Sequence, residues 1–146
     1  MPEINFLAIF VAALVPNVLG VIYYGPLFGK PWLSSLNLVA EDMKGRNEPL
    51  IYGSALVLSF IIATFLKFTI SLTHKDIGPD GELVFASFGT FPHGALHGAM
   101  IALTMVVPVI VSLGLFQKSK GSNILLNVVF WILCYTLMGG ILDAWN

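Results

Sequence analysis

Four apolar stretches set the limits on what this chain can fold into. They cover about residues 4–24, 50–72, 91–116 and 123–143. Each reaches the roughly 20 residues that an α-helix needs to cross about 30 Å of hydrocarbon. Composition agrees: 57% of residues are hydrophobic, 10% are charged, and the mean hydropathy is +0.88. A soluble domain carries about 25% charged residues. This chain lacks the polar side chains to cover itself in water, so its partner is the lipid bilayer. The reading is all-α: a single membrane domain over 1–146, an integral four-helix bundle. Glu3 is the only early charge, and no small-x-small cleavage site follows the first stretch, so that stretch reads as a retained helix and not a signal peptide.

Lysine and arginine set an expected orientation. Lys30, Lys44 and Arg46 fall between the first two spans, and Lys118 and Lys120 between the last two. Lys67 and Lys75 fall on the opposite side. Five against two, out of the 7 in the chain, assigns the first set to the cytoplasm. The expectation is a bacterial inner membrane with both termini outside the cytoplasm.

The connections carry their own signals. In "YYGPLFGKPWLSSLNL", residues 23–38, Tyr23 and Tyr24 sit where a span ends, as interfacial anchors, and Trp32 and Trp145 are read the same way. Gly25-Pro26 ends the helix. Pro31 opens a short helix with Trp32, Leu33 and Leu36 on one side, expected to lie on the membrane surface. Between the second and third spans, "IGPDGELVFASFG" reads as a Gly-Pro-Asp-Gly turn leading into Val84, Phe85 and Phe88, a small hairpin in a turn-rich loop.

The third span opens with "TFPHGALHGAM", residues 90–100. Thr90 is placed to cap the helix and Pro92 is tolerated in the first turn. His93 and His97, four apart, share a face. Antiparallel threading brings Glu3, Lys67 and Asp143 to the same depth. Ionisable groups facing a bundle interior at membrane depth are costly, which makes His93, His97 and Asp143 a polar focus, an ion or proton site. The same block is a Gly94-xxx-Gly98 pattern extended by Ala102, a small-residue face that lets helices approach closely, with the histidines as structural hydrogen-bonding groups. The structural reading is preferred. A metal at His93 and His97 would need a third ligand from Asp143 or Glu3, and the glutamate of the zinc-protease HExxH pattern is absent. No cofactor and no catalytic residue is assigned.

Other residues weigh less. Pro16 in the first span and Pro108 in the third predict kinks. Asn17 is expected to form an interhelical hydrogen bond, and Asn123 to cap the fourth helix. Cys134 is the single cysteine, so no disulfide forms within the chain. His74 is given no role. The net charge of −1 gives no reason to expect nucleic acid, and no P-loop, GxSxG or dinucleotide fingerprint is present.

Three blocks, "YYGPLFGKPW", "FPHGALHGAM" and "GGILDAW", resemble the bacterial membrane family numbered seventeen sixty-one among the domains of unknown function. Tyr23 stands where that family commonly has a tryptophan. The resemblance implies a four-helix integral membrane protein and no known reaction. The function expected is therefore non-enzymatic: an assembly or accessory subunit in a homo-oligomer or larger membrane complex. The alternative is a small transporter or channel-like module with a His/Asp proton or metal site near the outer face.

Overall fold

The computed structural model describes residues 5–73, 75–85 and 89–145. Glu3, His74 and Phe88 lie outside them. Helix α1 (Phe6–Ile22) begins where the Asn5 side chain accepts from the Ala8 N–H, 3.1 Å, satisfying one of the four orphan donors of a helix start. It continues into a π-helical turn, Tyr23–Leu27, that contains Pro26. A short helix α2 (Gly29–Leu36) follows and stops at Asn37, which takes the left-handed conformation at φ 57°. Asn47 accepts from the Leu50 N–H at the start of α3 (Glu48–Thr73). Strands β1 (Lys75–Ile77) and β2 (Leu83–Phe85) pair antiparallel, Ile77 opposite Leu83. Their turn closes through the Gly81 N–H on the Gly78 carbonyl, 2.9 Å, with Gly81 at φ 75°, where a glycine is needed. The third span is α4 (Phe91–Ile101), a π turn (Ala102–Val106) and α5 (Val107–Phe116). The fourth is α6 (Gly121–Ala144).

Four helices are long and apolar enough to cross a membrane: Phe6–Leu27, Glu48–Leu72, Phe91–Phe116 and Gly121–Ala144. The prolines act differently from one another. Pro16 is buried inside an α1 that runs on to Ile22. At Pro26 and before Pro108 the helix widens to π turns, because a proline has no N–H to give and the ladder shifts around the carbonyl left over.

Helix α6 is the hub and packs against α1, α3 and α4, whereas α3 and α4 barely touch. Its buried residues Phe130, Cys134, Met138 and Leu142 meet Ala8, Ile9, Ala12 and Ala13 of α1 and Ala63, Leu66 and Ile70 of α3. The alanines of α1 keep that contact close. The α4–α6 contact is closer still. A Cβ on Gly94 would collide with the Gly139 carbonyl, and one on Gly98 with the Tyr135 carbonyl. The glycine face of the third span is therefore consumed within the chain. Ala102, fully buried, extends it.

Candidate ion-pair site at one end of the bundle

The close α4–α6 crossing has a chemical consequence at its outer end. Gly94 lies against the Asp143 side chain as well as Gly139, and a larger residue there would hold α4 away. With glycine in place, His93 Nδ1 comes to 2.6 Å from Asp143 Oδ2. An ionised carboxylate only accepts, so the Nδ1–H donates. Asp143 is buried at 5% exposure, while the His93 side chain keeps 22%. The pair thus joins the bundle interior to its surface.

From the other side α3 delivers Lys67, at 3% exposure, whose ammonium donates to the Leu142 carbonyl at 3.0 Å and lies within electrostatic reach of Asp143. Carbonyls in the last turn of a helix carry the negative end of its dipole, which suits a cation. The His97 ring stands edge-on to that of His93, centroids 4.6 Å apart. The first span joins through Asn5, whose Nδ2 donates to the Trp145 carbonyl at 3.2 Å. All four spans meet at this end. Lys67, Asp143 and His93 form its centre, and His97 borders it. Among the described residues no three histidine, cysteine, aspartate or glutamate side chains converge as a metal would require.

Several residues stand elsewhere than the sequence suggested. Tyr23, read from the sequence as an interfacial anchor, is 3% exposed and packs in the core, its hydroxyl donating to the Leu126 carbonyl at 3.1 Å. Tyr24 donates to Asn127 Oδ1, 2.8 Å, and packs on Trp32. Trp145 is about half exposed at the end of α6. Thr90 occupies the cap position of α4 without a side-chain capping bond. Asn123 is not the cap of α6, which starts earlier. Its Nδ2 donates to Ser35 Oγ, 3.0 Å, and its oxygens accept from Asn127. Asn17 does not form the expected interhelical bond through its amide nitrogen, which is buried without a partner among the described residues.

These corrections share a pattern. A polar clasp at the other end of the bundle, Tyr24–Asn127–Asn123–Ser35, fastens α2 to α6, and Lys120 strengthens it by donating to the Ser34 carbonyl and Asn37 Oδ1. The available signal was Asn123 and Asn127, one helical turn apart in an apolar span, where a polar group seeks a partner.

The family described as a protein of unknown function (DUF1761) matches residues 7–143, and the chain belongs to it. No curated protein and no solved structure matches the chain.

Proposed function

We propose that this family member is a non-enzymatic membrane protein whose His93–Asp143–Lys67 cluster binds and passes a proton, the working site of a small transport module. The observation that carries the reading is the burial of Lys67 and Asp143, at 3% and 5% exposure, beside a histidine that remains partly exposed. A buried ion pair is a poor stabiliser, because desolvating two charges offsets most of their attraction. Ionisable groups kept at that cost in a membrane bundle mark a pathway or a relay. His93 is the group placed for the exchange, since its side chain is the partly exposed member of the cluster. The positions of Lys30, Lys44, Arg46, Lys118 and Lys120, all toward one end, support an orientation with that end in the cytoplasm and the cluster at the outer face. Lys67 sits inside the bundle and drops out of that count, which sharpens the asymmetry.

The test is proton flux. Purified protein in liposomes with a trapped pH dye should collapse an imposed pH gradient, and His93→Gln and Asp143→Asn should abolish the activity while keeping the helical circular-dichroism spectrum. A wild-type gradient that decays no faster than in empty liposomes rejects the proposal.

A second reading, assembly with further copies or a larger complex, has its own support. The third span buries 11% of its most apolar window, against 28–33% for the others. Its outer face, with Leu96, Leu103 and Met105 exposed, is left open to a neighbouring helix.

A further inference from the structure

Three lysines meet where three spans end. Lys30 follows the first span, which stops at Leu27; Lys118 follows the third, which stops at Phe116; Lys120 precedes the fourth, which starts at Gly121. The clasp between α2 and α6 draws them together. Lys120 reaches across to α2 and donates to the Ser34 carbonyl, 2.7 Å, and to Asn37 Oδ1, 2.6 Å. Both partners are neutral oxygens. They occupy two of its three N–H donors and leave its charge unbalanced. Lys30 shares the Ser34 face of α2 one turn back, about 6 Å along the helix. Lys118 stands in the tight turn that leads to Lys120, at φ 55°. All three lysines are exposed, and none has a carboxylate within ion-pair distance among the described residues. The acids at this end do not offset them there: Asp42 accepts from the Val39 N–H, 2.8 Å, and Glu41 and Glu48 are exposed and form no ion pair among the described residues.

We propose that the junction of α2 with the α5–α6 turn binds an anionic phospholipid, of the phosphatidylglycerol class, its phosphate among Lys30, Lys118 and Lys120 and its acyl chains against Leu115 and Phe116. Two features select that chemistry. The surface beside the lysines is apolar: Leu27 and Phe28 lead into α2, Leu115 and Phe116 end α5, and all four are exposed, Phe116 at 87%. A small anion in water gains nothing from such surroundings, whereas a phospholipid lays its chains along the span ends with its phosphate at the level of the lysines. Charge decides between lipids. A phosphodiester is bound by ammonium groups as point charges, so three of them at one place suit it without a fork geometry. A zwitterionic lipid would bring a fourth cation among them. Lys120 is held at a fixed point by its two oxygens and offers the third N–H, while Lys30 and Lys118 add charge from either side. The site lies at the opposite end of the bundle from His93 and Asp143, and it does not depend on proton passage there.

The experiment is native mass spectrometry of the full chain, released from detergent micelles that carry phosphatidylglycerol and phosphatidylcholine in equal amounts. The protein should retain phosphatidylglycerol in preference to phosphatidylcholine. Lys30→Gln and Lys118→Gln should each weaken that retention by roughly fivefold, the weight of one lysine near an anionic head group. Neither side chain makes a hydrogen bond among the described residues, so both variants should keep the fold. Lys44→Gln removes the same charge from the loop between α2 and α3 and should leave retention unchanged. Inorganic phosphate at the lipid's concentration should not displace the lipid. Equal retention of the two lipids overturns the proposal, and so does retention unchanged in both the Lys30 and Lys118 variants. A loss in Lys44→Gln equal to theirs would reduce the preference to a general attraction to the basic end and overturn it too. Displacement by inorganic phosphate would make this a site for the free ion and reject the lipid. The comparison of lipids is read on the unaltered protein, so a variant that fails to fold does not decide the outcome.

Discussion

Lys67 shows how one residue decides between a structural and a functional account. Its ammonium is held by the Leu142 carbonyl and the nearby Asp143 in a part of the bundle closed to water. Removing either charge takes a nearby counter-charge from the other while Asp143 keeps His93 and Lys67 keeps the Leu142 carbonyl, and breaking a buried pair in this way costs up to about 3–5 kcal/mol. Replacing both with apolar groups removes that penalty. Lys67→Met and Asp143→Asn should therefore each lower stability by up to that amount, while the double variant Lys67→Met/Asp143→Leu should recover most of it or exceed the parent. Unfolding by SDS titration in mixed micelles measures all three. Additive losses in the double variant would show that the two charges are not coupled and would contradict this account. The sequence made half of this legible. Depth counting along the spans put Lys67, Asp143 and His93 at one level, but the rotation of α3 that turns Lys67 inward rather than toward lipid depends on how α1 and α6 share Ala63, Leu66 and Ile70. No local pattern encodes that. Asn17 marks a similar limit, since whether an amide finds a partner depends on the opposing helix.

At the scale of elements, the glycines divide into those that set a helix distance and those that do not. Gly98 lies against the Tyr135 carbonyl, whereas a Cβ on Gly53 in α3 would meet nothing within 4 Å. Gly98→Leu should push α4 off α6, separate His93 from Asp143 and destabilise the bundle. Gly53→Ala should be neutral or stabilising by up to about 1 kcal/mol, because it removes only the entropy that glycine loses in a helix. Thermal melts in detergent distinguish the two; a Gly98→Leu melt equal to the parent's would contradict the packing described. The small-residue pattern is legible in "GALHG"; its counterpart on α6 is Gly139, where an added Cβ would meet the Gly94 carbonyl, and that is not legible. A single glycine is silent in hydropathy, and Gly139 acquires meaning only when the α4 backbone is seen crossing it. The Tyr23–Tyr24 pair carries the same lesson. Tyrosines at a span end suit both an interface and an interhelical bond, and what decides here is the π turn that swings Tyr23 onto Phe130.

For the whole molecule, the spans alternate in direction, so the α5–α6 connection and the end of α6 face opposite compartments. A reporter inserted at Gly121 should read as cytoplasmic and one fused after Trp145 as external. A cytoplasmic signal at the C-terminal fusion would invert the orientation and move the ion pair to the other side. The four spans were legible from hydropathy alone, because length and apolarity are local; their neighbours were not. Helix α6 follows the other three spans in the sequence and is the one that touches each of them, and this bears on how the bundle is made. While a ribosome is still producing the first three spans, α4 has no ridge to receive its glycines, and Lys67 has neither the Leu142 carbonyl nor Asp143. Helices α1 and α3 can pack on each other first, but α4, which barely touches α3, gains its place only once α6 is present. A pause or truncation before α6 is made would leave Lys67 in the membrane without the Leu142 carbonyl and Asp143 that face it.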